Sequence, residues 1–349
     1  MPRRTLMATA FLAGVLVGAL LLAWMRGGFV YDAQEPAWAG ATREIMSTPI
    51  RVLAPEAEAD RAAETVFAVF REVDARMSEW KPTSPLSKVN AAAGSEPVEL
   101  PPDLMQLLHR GKTLGELTGG AFDVTWAALW GLWDFKAEHP QLPDPAKIEQ
   151  RTALVDYRRL EIDREAGTVH LPREGMLIGL GGIAKGHALD QSAEKLRDRG
   201  IESFLISAGG QVYAGGRRGD RPWRVGIRDP RGGPNDYFAD LAVADRSVAT
   251  SGDYERSFIL GGKRYHHILD PRTGRPARGV VSSTVVSSDA TLADALSTAL
   301  FIMGPARGLE LASRLSDVEA LLVDDEGELH MTPGLREMLN LQYRPSLAD

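Results

Sequence analysis

The chain has 349 residues, of which 40 are Lys or Arg and 47 are Asp or Glu, for a formal net charge of -7. That acidic balance argues against a nucleic-acid surface, which would gather a basic excess on one face. It favours small or protein substrates, the length allows one large domain or two intimately packed ones, and the absence of cysteine excludes disulfides, thiolate metal sites and cysteine nucleophiles.

At the N-terminus, Arg3 and Arg4 precede an uncharged apolar run from Thr5 to Met25 that Arg26 closes. The run is long enough to cross a bilayer as a helix, and the arginines before it favour a cytoplasmic N-terminus with the body of the protein exported. A small-x-small cleavage pattern, Ala37-Trp38-Ala39, lies far past this run. Residues 1–26 therefore read as an uncleaved membrane anchor in preference to a removed signal. Residues 27–43, with Gly, Pro and polar residues and no periodicity, read as a tether to a folded part spanning 44–349.

From there "REIMSTPIRVLAP" reads as a strand, and Ala63, Val66, Phe67, Phe70 and Val73 follow at helical spacing. A polar loop through Asn90 and a helix around Leu104 to Leu117 come next. In the Trp-rich segment "FDVTWAALWGLWDF", core packing is the preferred reading of Trp126, Trp130 and Trp133. Prolines at 140, 143 and 145 break the pattern, and "RRLEIDREAGTVHLP" reads as a hairpin. Ala188 to Arg199 suits a helix closed by Gly200, and "ESFLISAGG" a buried strand ending in paired glycines. Successive strands and turns fill Trp223 to Tyr265. A helix from Leu292 to Met303 stops at Gly304 and Pro305, and "VEALLVDDEGELHMT" reads as a terminal hairpin. This order predicts an α+β fold, with mixed and antiparallel sheets and packed helices, rather than regular βαβ alternation.

Five stretches carry chemistry. In "IGLGGIAKGHALD" a glycine-dense turn ends in Lys185 and runs into a helix, so bare backbone N–H groups and the helix terminus suit a phosphate; a tight turn with Lys185 in solvent is the rival. In "SDATLADALSTALFIMG" Asp294 and Thr298 share a helix face with Ser297 beside it, an oxygen set that suits magnesium with phosphate and water. The rivals are a Thr291-x-x-Asp294 capping box and back-bonding of Thr298 to its own helix. In "YHHILDPRTGRP" His266 and His267 alternate faces, so at most one points into a given site. "RMSEWKPTSPLSKVN" and "TGGAFDVTWAALW" offer Trp80 and Phe122 as faces for a flat ring, with core packing as the alternative.

Taken together and in this order, these stretches resemble the ApbE family of FAD:protein FMN transferases. The resemblance runs from about Met46 to the C-terminal hairpin and includes "MSTPIRV", "GGAFDVT", "LGGIAKGHALD", "ISAGGQVYAGG", "TSGDYERSF", "HHILDPRTGRP" and "TLADALSTALF". It implies an ApbE-like catalytic domain over 44–349 that transfers FMN from FAD to a Thr or Ser hydroxyl of an acceptor protein, with magnesium required and AMP leaving. It further implies magnesium ligation by the Gly182 carbonyl, Asp294, Thr298 and Ser297. FAD would contact Met46, Trp80, the Ala121-Phe122-Asp123 turn, Lys185 and Ile268, with His267 at the reacting phosphate as proton acceptor or hydrogen-bond donor.

Two positions depart from the family pattern: Gly179, where relatives commonly carry Asp, and Gln211, where an acidic residue often follows the paired glycines. Neither is expected to touch the metal ligands. The implied acceptors are membrane-associated or exported electron-transfer proteins carrying covalent FMN, with the enzyme anchored in the cytoplasmic membrane and its catalytic domain on the periplasmic side. A magnesium-dependent FAD pyrophosphatase and a non-catalytic FAD-binding protein are the alternatives.

Overall fold

The structure is a computed structural model that describes residues 37–345 and residue 347. The apolar run from Thr5 to Met25 lies outside the described residues. Among the described residues no helix is long and apolar enough to cross a membrane.

An eight-stranded sheet organises the fold. Its strands are Trp38–Ile45, Thr48–Pro55, Phe204–Ala208, Gln211–Gly215, Arg246–Gly252, Val280–Ser287, Glu319–Asp324 and Leu329–Met331. Their spatial order is their chain order, and each pairs antiparallel with the next. The frame is thus a meander, the topology that needs only local connections. Its complexity comes from what has been inserted between successive strands.

Both faces of the sheet are covered. Ile206, Val285 and Leu322 point into a core shared with the helices Ala59–Met77, Ala184–Arg197 and Ala290–Met303. Their sequence neighbours Leu205, Val286 and Leu321 point the other way, toward Trp223, Ile227, Phe238 and Leu241 of a small antiparallel sheet formed by Trp223–Arg228, Tyr237–Val243 and Leu339–Leu341. A strand buried on both sides loses polar alternation, which is why "ALLV" in Glu319–Asp324 is continuously apolar. In the helix Ala59–Met77 the apolar stripe expected from spacing is the buried one, with Val66, Phe67 and Phe70 almost wholly inaccessible. Each such side chain contributes roughly 1.5–3 kcal/mol through burial. The α+β class with antiparallel sheets holds.

Several expected boundaries move. The tether expected to reach residue 43 ends earlier, because Trp38–Ile45 is the edge strand of the sheet. Its pairing with Thr48–Pro55 and the edge-on contact of Trp38 with Trp223, 4.9 Å between centroids, hold a segment whose sequence lacks alternation. The single strand expected over "REIMSTPIRVLAP" is instead the turn and second arm of a hairpin: Met46 and Ser47 take φ of 55° and 52°. Paired positive φ values define the tight hairpin turn that Asn or Gly usually announces, and neither is present. The polar loop before Asn90 contains the short helix Pro85–Ala91, capped by Ser84, whose Oγ accepts Ser87 N–H. The terminal hairpin is followed by a helix, Pro333–Met338, and the strand Leu339–Leu341.

Candidate functional site

The helix expected from Ala188 begins four residues sooner, at Ala184, so Lys185 and Gly186 form its first turn. Gly186 is there for a steric reason. A Cβ on it would sit 2.3 Å from the Ala290 carbonyl oxygen and 2.8 Å from Asp294 Cβ, so only glycine lets this helix meet Ala290–Met303 at that point. Across the contact Gly186 N–H donates to Asp294 Oδ2 at 2.9 Å. One turn later Asp190 accepts Ala290 N–H and Thr291 N–H, each at 2.8 Å, and the Thr291 hydroxyl. Burial pushes the Asp190 carboxyl up to about 6.

This arrangement decides between the rival readings of Asp294. The N-cap of Ala290–Met303 is Asp289, which accepts Leu292 N–H, and the Thr291 hydroxyl is committed to Asp190; the Thr291–Asp294 capping box is not formed. Asp294 instead faces across to the glycine turn. Burial raises its pKa, opposed by the positive field of Lys185, the Gly186 N–H and a hydrogen bond from the Gln211 side chain. The expectation that Gln211 stays clear of the proposed metal ligands is therefore corrected. Its place at the start of Gln211–Gly215, directly after the Gly209-Gly210 turn, aims the amide at Asp294. Gln211 Oε1 is buried and has no partner among the described residues.

Hydroxyls gather beside this carboxyl. Ser251 Oγ lies 2.9 Å from Ser297 Oγ and 3.3 Å from Thr298 Oγ1, and the Ser297 hydroxyl donates back to the Asp294 carbonyl at 2.8 Å. Thr298, expected by one reading to bond within its helix, faces Ser251 instead. Gly182 closes the cluster: a Cβ there would lie 3.8 Å from Thr298 Oγ1 and 3.2 Å from the Phe122 ring. Lys185 Nζ donates to the Gly181 carbonyl at 3.0 Å. Among the described residues no three His, Cys, Asp or Glu side chains cluster as metal ligands. One carboxylate with hydroxyl and carbonyl oxygens is nevertheless the donor set of a hard divalent cation whose remaining ligands are phosphate and water, and the unpartnered Gln211 oxygen fits the same chemistry.

The two histidines have different surroundings. His266 is buried, its Nε2–H donating to the Ala277 carbonyl at 2.9 Å and its ring edge-on to Phe301. His267 lies just past the strand Lys263–His266, and its main-chain N–H donates to the Arg256 carbonyl at 3.0 Å. Burial lowers the His267 pKa to about 4, reinforced by the charges of Arg256, His266 and Lys185. The His267 ring lies within reach of the Lys185 charge. Its Nδ1 is buried and unpartnered among the described residues, so the neutral imidazole has a nitrogen free to take or share a proton.

The remaining expected contacts divide. Trp80 is 72% exposed and presents an open ring. Phe122 is buried with its ring against Gly182, so it is a floor to the turn and not an open stacking face. Ala121 and Ile268 are buried in the main core. Asp123 spends its oxygens internally, accepting Thr125 N–H and hydroxyl and Tyr157 N–H. Met46 sits in its hairpin turn, packed against the main core; the neighbouring Gly209 turn lies beside it, with a Cβ there 3.2 Å from Thr48. The preference for core packing holds for Trp133, whose Nε1–H donates to the Gly274 carbonyl, but not for Trp126 and Trp130, which are half-buried. The sequence pattern gives no role to Ser251 or Asp190, although Asp190 carries a signal, lying one helical turn after Gly186 on the same face.

A model described as the ApbE family matches residues 46–322. The chain belongs to the ApbE family. It is 34% identical over 296 residues to the FAD:protein FMN transferase of Treponema pallidum (strain Nichols), covering 80% of this chain and 82% of that one. With the FAD:protein FMN transferase of Klebsiella pneumoniae (strain 342) it shares 32% identity over 280 residues, 80% of this chain and 87% of the relative. Its fold matches the crystal structure of the ApbE protein from Thermotoga maritima with a TM-score of 0.79 at 32% identity, over 86% of this chain and 99% of that one. The flavin transferase ApbE from Vibrio cholerae matches with a TM-score of 0.76 at 27% identity, again over 86% and 99%. As an ApbE protein the chain is a transferase, and FAD is the substrate that its relatives' activity names.

Proposed function

We propose that this chain transfers the FMN half of FAD to a Thr or Ser hydroxyl of an acceptor protein, with AMP released and magnesium required. The observation that carries the reading is the 2.9 Å bond from Gly186 N–H to Asp294, which joins the Lys185 turn to the Asp294 helix. A pyrophosphate there has a cation on one side and oxygen ligands for a metal on the other. In the reaction the acceptor oxygen bonds to the FMN phosphorus, and the bond from that phosphorus to the bridging oxygen breaks with its electron pair leaving on AMP. The hydroxyl proton passes to His267, which is neutral because its pKa is lowered to about 4.

Asp294, Thr298, Ser297 and the Gly182 carbonyl would hold magnesium, which would supply positive charge to the phosphate oxygens. Lys185 neutralises the same group from the turn, and the bare Gly181-Gly182 backbone lets the phosphate approach. Transfer of this kind depends on positioning and charge stabilisation more than on covalent chemistry by the protein. The acceptor is inferred to be an exported or membrane-associated electron-transfer protein. The Thr5–Met25 run would anchor the enzyme in the cytoplasmic membrane with the catalytic domain outside, which confines enzyme and acceptor to one surface.

Incubation of the full chain with FAD, magnesium and a candidate acceptor, followed by intact mass spectrometry of the denatured acceptor, tests this. The expected result is one covalently added FMN unit per acceptor site, lost with Asp294→Ala. Free FMN and AMP without modified acceptor, across acceptors bearing exposed Thr and Ser, would replace transfer by hydrolysis; no turnover of any kind would leave only FAD binding.

A further inference from the structure

Trp80 is a large apolar ring left 72% exposed, yet it is not loose. Its indole stacks on Trp130, 4.5 Å between centroids at 22°. Trp130 in turn meets the edge of Trp126, 5.9 Å away at 86°. Trp126 Nε1–H donates to the Gly179 carbonyl at 3.1 Å, and Gly179 N–H donates to the Val124 carbonyl at 2.8 Å. The run of three rings therefore ends on the main chain of the glycine turn. A second tie parallels it: the Glu79 carboxyl, its pKa raised by burial, accepts Leu180 N–H and feels the charge of Lys185.

Gly179 makes this possible. A Cβ on it would lie 3.0 Å from Trp126 Nε1 and 3.0 Å from Ala127 Cβ, tighter than ordinary contact, so a side chain at 179 would press on Trp126. Glycine at this position and the tryptophan run are one feature.

We propose that Trp126 and Trp130 are positioning residues that hold Trp80 as a preformed stacking face for a flat ring of FAD, and that glycine at 179 is what admits them. The inference rests on the FAD-dependent reading above. Holding the indole before the ligand arrives removes the ordering loss that a free exposed side chain would suffer on binding. An indole also stacks on either ring system of FAD, so the structure assigns the face, and competition decides between the two rings.

The test measures FAD affinity and steady-state kinetics for Trp80→Ala, Trp130→Ala, Trp130→Phe and Gly179→Ala in the full chain. Trp80→Ala and Trp130→Ala should each raise Kd and KM for FAD about tenfold, the scale of a ring stack. kcat should stay within about twofold, because the stack is made equally in ground and transition states. Trp130→Phe should recover most of the loss. Gly179→Ala should weaken FAD as Trp130→Ala does, and the double variant should be less than additive, since both act through the same ring. Stacked indoles also couple in the far-ultraviolet circular dichroism, so Trp80→Phe and Trp130→Phe should each reduce that signal without shifting Tm, the remaining tryptophan pairs supplying what is left.

Competition with riboflavin and with AMP names the ring, as the competitor weakened by Trp80→Ala. If wild-type protein binds FAD and Trp80→Ala or Trp130→Ala leaves that affinity unchanged, the assignment is overturned while the function stands. A wild-type protein that binds no FAD overturns both.

Discussion

His267 and Asp294 show how a residue's chemistry here is set by its surroundings more than by its type. Burial and the charges of Arg256, His266 and Lys185 hold His267 neutral, with a pKa of about 4. A base must be deprotonated to act, so kcat/KM should rise with pH through about 4 and be level across neutrality. An unshifted histidine would place that rise near ~6.5. His267→Ala should lower kcat by about 10²–10⁴-fold with KM for FAD nearly unchanged. Equal losses in kcat and FAD affinity would make His267 a binding residue. Asp294 shows the complementary case: a buried carboxyl with one N–H, one amide and one lysine field for company is poorly compensated as an anion, which is why the proposed magnesium is assigned to it.

Among the elements, the crossing of Ala184–Arg197 on Ala290–Met303 is what turns separate motifs into a site. Gly186→Ala places a methyl within 2.3 Å of a carbonyl oxygen, so the helices must move apart. Urea unfolding should show a loss of about 1–3 kcal/mol, the range of overpacking, and turnover should fall with it because Asp294 loses its Gly186 partner. A variant of wild-type stability and activity would mean that the crossing is looser than its geometry. The helices themselves were legible in the sequence, since the periodicity of Val66, Phe67 and Phe70 and the Gly304 stop signal are local features. The Met46-Ser47 turn was not, because its positive φ values occur at residues that rarely adopt them. The helix Pro85–Ala91 was missed although Ser84 and Pro85 are proper start signals, because it is too short to show a period. Contacts between distant residues were the least legible: Asp294 with Thr298 follows from helical spacing, whereas Gln211 with Asp294 and Trp126 with Gly179 depend on tertiary folding that no local pattern reports.

At the scale of the whole described chain, a local antiparallel meander carries a site assembled from segments far apart in sequence. The glycine turn enters from the long insertion before Phe204–Ala208, Ser251 comes from a central strand, and Asp294 and Thr298 from the helix that follows Val280–Ser287. The sheet fixes their separation, and the insertions supply the chemistry. In the function proposed above, one dinucleotide has its pyrophosphate held between Lys185 and the oxygens of Asp294 and Thr298. Crystals of the full chain grown with FAD and manganese, which takes the same oxygen ligands as magnesium and scatters anomalously, test it most directly. The account predicts one anomalous peak bounded by Asp294, Thr298 and the Gly182 carbonyl, with the FAD phosphates as its remaining ligands and the Lys185 ammonium against them. FAD bound with its phosphates and the manganese away from Asp294 would contradict it.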